Sequence, residues 1–403
     1  MEREFTKAEL LKLYDAHVAH NYKPFSGFIG RSGKGSWVQD VSGKKYLDML
    51  SSYSALSFGH AHPRILRALI EQACRLPNLP GAFYSEEKMI FSYELARFCG
   101  MEMSLIMNTG AEAVETALKL ARKWAYKKKK IKRDRAEIIV CGGNFHGRTI
   151  TIVSFSTEPQ YKNNFGPHTP GFKVVPFGDV QALKDAITPN TAAFLVEPIQ
   201  GEGGINVPPV GYLRACRKVC TENNVLLMAD EIQTGLARTG KMFACNYEDV
   251  KPDVLILGKA LGGGFMPVSA VVGSRELLMT IKPADHGSTF GGNPLGCHVA
   301  RESLRVLVDE HLVDRAFNLG RDFMNDLKDM RSPCVKEVRG RGLMIGVVIK
   351  EGGPNAHKLS QRLVRNGMLC KEARTDVIRL APPLTITREE LHWGLELLKK
   401  ALL

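Results

Sequence analysis

The chain has 403 residues, 44% hydrophobic and 24% charged, with 38 glycines and 20 prolines; this is globular composition and excludes a disordered polymer. The formal net charge is +13 and the isoelectric point about 9.3, which suits either a nucleic-acid or anionic-membrane partner or a site for anionic metabolites. No apolar run reaches the roughly 18 residues that a membrane-spanning helix needs.

The opening "MEREFTKAEL" has no apolar core and is not arginine-rich, so neither a secretion signal nor a transit peptide is expected. A cytoplasmic protein is expected, or a mitochondrial matrix one if a presequence has been removed. "FTKAELLKLYDAHVAH" has helical spacing. "SWVQDV" and "KKYLDML" follow as strand candidates around a Ser42-Gly43 turn. From Ser51 the pattern alternates strand and helix. "SLIMNTG" reads as strand and turn, "AEAVETALKLARKWAY" as helix, and "AEIIVCGG" and "TAAFLVEP" as strands. The helix "GYLRACRKVCTEN" comes next, then the strands "VLLMAD", "VLILG" and "VSAVVG". These runs are continuously apolar, as expected of strands buried on both faces of a parallel sheet. A long helical pattern begins near Asn293. It leads to "VKEVRGRGLMIGVVIK", a hairpin candidate, then a helix over His357–Arg365, the strand "VIRLAP" and a helix from Arg388.

The predicted fold is therefore α/β. A large domain over residues 51–296 carries a mostly parallel sheet flanked by helices. A smaller α+β domain combines residues 1–50 with 297–403. The nine cysteines show no CxxC pair, which argues for free thiols in a reducing compartment and against a metal site. "KKKKIKRDR", Lys127–Arg135, holds seven cations and one acid. It closes a helical pattern, where cations suit the helix C-terminus, and it reads as a solvated helix end and loop. A nucleic-acid-binding role for this run is the competing reading.

Ligands of open α/β sheets sit outside the carboxyl ends of the strands. That rule brings Thr109 and Gly110, Phe145 and Arg148, Glu197, Asp230 and Lys259 to one rim. A desolvated lysine has a lowered pKa and attacks carbonyls, so Lys259 can form a Schiff base; a snorkelling lysine is the bland alternative. Asp230, after "VLLMA", must be paired to stay ionised, and a protonated pyridine nitrogen would pair it; an N-cap is the alternative. Thr109, Gly110 and Ala111 open a helix whose amides suit a phosphate, or form a plain turn. Phe145 could stack on a planar group or belong to the core. Arg148 could hold a carboxylate or a structural ion pair.

"MNTGAEAVETALKLARKW", "NFHGRT", "VEPIQGEGG", "LLMADEIQTGLARTGKM", "LILGKALGGGFMPVSAVVG" and "HGSTFGGNPLGC" stand in order along the chain. Together they resemble the class III (omega) aminotransferases, fold type I enzymes that use pyridoxal 5'-phosphate. The resemblance implies that Lys259 carries the cofactor and shuttles the proton, and that Asp230 pairs with the pyridine nitrogen. Phe145 and Ile232 would pack on the two ring faces, and Gln233 would reach the ring hydroxyl. Thr109, Gly110 and Ala111 would surround the phosphate. Ser288 and Thr289 would complete the cofactor set, Thr289 reaching the phosphate of the neighbouring subunit in a homodimer with shared sites.

The substrate residues look most like those of the branch that uses L-ornithine and 2-oxoglutarate. Tyr22 and Arg148 would hold the ornithine α-carboxylate and Tyr53 would shape the pocket. Glu202 would neutralise Arg379 until a 2-oxoglutarate carboxylate needs it. Branches that use acetylornithine or 4-aminobutyrate are the alternatives. Three positions depart from the usual pattern: Phe290 replaces a tyrosine, His146 stands at a variable position, and Gly81 stands where a polar residue is frequent.

Overall fold

The computed structural model describes residues 5–25 and 27–402. Fifteen strands, labelled in chain order, form three sheets among the described residues. β1 (Gly30–Lys34), β2 (Trp37–Asp40) and β3 (Lys45–Asp48) come first. β4 (Met103–Met107), β5 (Glu137–Cys141), β6 (Phe172–Val175), β7 (Thr191–Val196), β8 (Leu226–Asp230), β9 (Val254–Leu257) and β10 (Ser269–Gly273) make the central sheet. β11 (Val335–Arg341), β12 (Met344–Ile349), β13 (Met368–Leu369), β14 (Lys371–Ala373) and β15 (Val377–Leu380) complete the set.

The central sheet has the order β4-β10-β9-β8-β7-β5-β6. Every residue of β7, β8, β9 and β10 is buried, because helices cover both faces. Successive side chains of a strand point to opposite faces, and the core divides accordingly. Ile138, Leu195, Met228 and Ile256 pack with Val114, Ala117 and Leu118 of the helix Gly110–Lys127. Their neighbours Ile139, Val196, Leu227 and Leu257 join the larger core on the other face.

β10 is the exception to the parallel pattern, running antiparallel to both β4 and β9. A parallel return needs a crossover element. Between Leu257 and Ser269 the chain has only a short 3-10 turn, Lys259–Gly262. The chain after Lys259 therefore doubles straight back along β9.

The ends of the chain meet. β13 pairs in parallel with β3, Met368 opposite Leu47, and extends the sheet β1-β2-β3-β13. The third sheet, β11-β12-β15-β14, is antiparallel and begins with the β11–β12 hairpin. The sequence pattern marks neither β1 nor β6, β13 and β14. β1 is glycine-bearing and mostly exposed, and β13 and β14 span two and three residues. The first helix, Lys7–His17, is held by a capping box between Thr6 and Glu9 and buries none of its residues. It ends three residues earlier than its spacing predicts, where Val18 turns extended. No described helix is long and apolar enough to cross a membrane.

Candidate active site

A cavity of about 140 Å³ lies at the carboxyl ends of the parallel strands. Gly110, Ala111, Phe145, His146, Glu197, Asp230, Ile232, Gln233 and Lys259 line it. These residues follow or end β4, β5, β7, β8 and β9, so one rim gathers groups from five strands. A larger cavity, about 550 Å³, lies at the amino ends near Arg217 and Asp253, which already pair with one another at 2.6 Å.

Lys259 follows Gly258 directly after β9 and has φ +46°. A non-glycine residue in that left-handed region costs of order 1 kcal/mol and persists only where the surroundings hold it. Burial pushes the Lys259 ammonium down; the Arg379 charge adds to this, and Glu202, Asp230 and Glu197 oppose it without cancelling it. The amine is thus biased toward its nucleophilic, neutral form.

Asp230 ends the apolar β8 and is 5% exposed. Its Oδ1 accepts from the Ile232 amide at 3.1 Å, and its Oδ2 lies 2.6 Å from His146 Nδ1. Burial pushes the His146 imidazole down, but the hydrogen bond and charge of Asp230, with Glu197, raise it overall. His146 Nε2 is buried without a partner. Beside this pair lies Glu197, whose two oxygens accept from the Phe145 and Gly201 amides at 2.9 and 3.2 Å. Burial lifts its carboxyl to about 7, with Asp230 adding to the rise and His146 opposing it. The buried cluster therefore holds two acids and an imidazole between them.

The sequence marks His146 only as a variable neighbour of Phe145. A signal was present, because the aspartate ending an all-apolar strand needs a cationic or donor partner. The end of the strand two places away in the sheet supplies that imidazole.

At the start of the helix Gly110–Lys127 a capping box is closed. The Thr109 hydroxyl accepts from the Glu112 amide at 3.2 Å, and the Thr109 amide donates to Glu112 Oε2 at 2.7 Å. The hydroxyl and the amide of Thr109 are thereby committed. The amides of Gly110 and Ala111 have no acceptor within the helix and remain for an anion. A Cβ on Gly110 would come within 3.1 Å of Ile232 Cδ1, so the turn and Ile232 pack closely. Asn108 reaches Ser288 Oγ at 2.8 Å, which brings the Ser288 loop to this turn. Thr289 is exposed. Gln233 is buried, and a Cβ on Gly201 would overlap its Oε1 at 1.7 Å.

A second group of residues surrounds Tyr53. Ser51, Ser52, Tyr53 and Ser54 all have positive φ, 49°, 47°, 58° and 76°. Arg379 of β15 is 1% exposed, stacks its guanidinium 4.8 Å from the centre of the Tyr53 ring, and donates from Nη1 to Glu202 Oε1. Burial would raise the Glu202 carboxyl, yet Arg379, Lys259 and Lys371 together hold it low. Arg148 is exposed and lies over the Tyr161 ring at 4.2 Å and the Phe145 ring at 5.8 Å. Tyr22 is 58% exposed; its carbonyl accepts from Tyr14, and no hydrogen bond or ring contact among the described residues ties it to the cavity.

The aminotransferase class-III family model matches residues 17–402. The chain belongs to the class III aminotransferases. It is 54% identical over 384 residues to the ornithine aminotransferase of Brevibacillus brevis, covering 95% of each chain. The solved ornithine aminotransferase of Toxoplasma gondii ME49 superposes with a TM-score of 0.97 at 45% identity, over 99% of this chain and 96% of that one. The acetylornithine aminotransferase of Elizabethkingia anophelis gives 0.88 at 43%, over 98% of each.

As a class III aminotransferase the protein is a pyridoxal-phosphate-dependent enzyme of fold type I. The residues present fit that group. A buried carboxylate fixed by two donors faces a cavity lined in part by the apolar Phe145 and Ile232, a lysine amine of lowered basicity is at hand, and two open helix amides stand at one end.

Proposed function

We propose that this aminotransferase moves the δ-amino group of L-ornithine to 2-oxoglutarate, giving L-glutamate and glutamate 5-semialdehyde, which cyclises to pyrroline-5-carboxylate. The observation that carries the reading is the Glu202–Arg379 pair over Tyr53, beside a lysine that feels both charges. A site for ornithine must receive a cationic amine end, and a site for 2-oxoglutarate must receive a second carboxylate. A paired arginine serves both. Glu202 cancels its charge for the amine, and Arg379, released, makes a charge-assisted bond to the oxo acid. The names of the similar proteins point the same way.

Pyridoxal phosphate, when bound, supplies an aldehyde for amines and a ring that accepts the electron pair left by a lost proton. Lys259 would hold it and would move that proton as a base. Asp230, held by His146 and the Ile232 amide, keeps a proton on the ring nitrogen. Gly110 and Ala111 would donate to the phosphate, Gln233 would hold the ring hydroxyl, and Phe145 and Ile232 would pack against the ring. Arg148, with Tyr22, binds the ornithine α-carboxylate, so that the δ-amine is the end presented.

The active unit in this reading is a homodimer, with Thr289 of each subunit serving the other's phosphate site. Phe83, Tyr84, Met89, Tyr93 and Phe290 are each more than half exposed and support a covered apolar face. Sedimentation of the purified protein checks it. Residues 51–296 form the cofactor domain and the two terminal segments the small one, a division that limited proteolysis tests.

Incubation with ornithine and 2-oxoglutarate decides the main reading. Pyrroline-5-carboxylate should accumulate, and none above a no-enzyme blank would refute it. An acetylornithine enzyme is the second reading, favoured by the likeness to the Elizabethkingia protein. Comparing kcat/KM for ornithine, N-acetylornithine and 4-aminobutyrate separates them.

A further inference from the structure

The Glu202–Arg379 pair raises a question that the pair alone does not answer. When a substrate carboxylate engages Arg379, Glu202 loses its partner and stands beside a new negative charge. A largely buried carboxylate abandoned in that way is strongly unfavourable.

We propose that Lys371 is a specificity-determining residue of this site, the cation that receives Glu202 when Arg379 turns to the acceptor's carboxylate. The inference rests on the reading above, that one cleft takes a cationic donor and a dianionic acceptor in turn. Three observations carry it. Lys371 of β14 lies directly opposite Arg379 of β15 in the antiparallel register, so their side chains leave the same face of the sheet. Both cations lie over one ring, Arg379 at 4.8 Å and Lys371 at 5.9 Å from the centre of Tyr53. Lys371 has no ion-pair partner of its own among the described residues, although it is half-buried.

Directly opposed residues of an antiparallel pair stand about 5 Å apart. Glu202 therefore needs only a side-chain rotation to pass from one cation to the other. The four-carbon stem of lysine lets its ammonium follow. Lys371 already contributes to holding the Glu202 carboxyl low, behind the larger effects of Arg379 and Lys259. In the donor half-reaction the arrangement leaves a net cation at Lys371. In the acceptor half-reaction it leaves Arg379 for the substrate and an internally paired Glu202. The discrimination is thus a transfer of one carboxylate between two cross-strand neighbours, with no movement of the sheet.

The test separates the half-reactions by stopped flow in Lys371→Met, which keeps the stem and removes the charge. For 2-oxoglutarate kcat/KM should fall about 10- to 100-fold, the range for losing one charged hydrogen-bond partner; for ornithine it should change less than about 3-fold. Calorimetric binding of glutarate, an unreactive dicarboxylate, should weaken in parallel, and Lys371→Arg should restore both. Equal losses in the two half-reactions, or glutarate binding unchanged in Lys371→Met, would overturn the proposal. If wild-type protein ignores ornithine, the ornithine reading fails by itself, and glutarate affinity in Lys371→Met still decides the role of Lys371.

Discussion

His146 Nδ1 lies 2.6 Å from Asp230 Oδ2, and both side chains are at least 95% buried. Among the described residues the imidazole is the one side-chain group that hydrogen-bonds this carboxylate; the other contact is the Ile232 amide. In the proposed mechanism His146 acts through Asp230 as a positioning residue. His146→Ala should raise the dissociation constant for pyridoxal phosphate about 10- to 100-fold, as expected for one lost charged hydrogen bond. Titration of the cofactor-free protein, followed by the cofactor's absorbance, measures it. His146→Gln, which keeps a donor, should recover part of the loss, whereas a purely packing role would predict no difference between the two variants.

Glu197 gives the site a dependence on pH. Its carboxyl is raised to about 7 in the folded protein, against an ordinary 4.5. The folded state thus binds more protons than the unfolded state between these values, and this group's contribution to stability falls as pH rises through that window. Above pH 7 the full cost, on the order of 3 kcal/mol, is present. Glu197→Gln also loses an acceptor for one backbone amide, an offset that does not change with pH. The stability of the variant relative to wild type should therefore climb from pH 4.5 to 7 and then level off. Urea denaturation at several pH values reads it; a flat difference would contradict the assignment.

Lys259 carries the opposite sign. Burial lowers its pKa, so the folded state binds fewer protons than the unfolded chain below the ordinary lysine range, and stability rises with pH as that range is approached. In the cofactor-free protein Lys259→Met should raise Tm, more at pH 7 than at pH 10. The same variant should reduce transamination to background. A Tm gain independent of pH would place the effect in packing instead.

Glu202→Gln tests the charge switch from its other side. The substitution keeps the shape and leaves Arg379 uncancelled. The ornithine half-reaction should slow by about 10-fold or more, since like charges that meet in a partly buried site cost at least 1.4 kcal/mol. The 2-oxoglutarate half-reaction should be unchanged or faster. Single-turnover rates for each half, measured separately, would expose any common loss.

The strand ends were legible because continuous apolar runs stop at Asp230, Glu197 and the glycine before Lys259, and a polar group after such a run has few reasons to be there. β10 was legible as a strand but not in direction, because direction depends on the connection and not on the run itself. β14 was invisible at three residues, and Lys371 with it. His146 was visible but unranked, since nothing along the chain tells that the end of β5 faces the end of β8 across the sheet. Tyr53 was marked only through the resemblance to the family. Its left-handed backbone was not, because four such residues in a row are held by their surroundings and not by local preference.

The parallel pairing of β3 with β13 joins residues 47 and 368. It has a consequence for biosynthesis. Lys259, Asp230 and the helix Gly110–Lys127 are complete once the chain has grown to the end of β10, whereas Lys371 and Arg379 emerge about a hundred residues later. On a ribosome adding 5–20 residues per second, the nascent chain has several seconds in which its cofactor-holding groups are made and its substrate-selecting pair is not. In the proposed reading chemistry is encoded first and discrimination last, and β13, made just before the strands that carry Lys371 and Arg379, fastens the amino-terminal sheet.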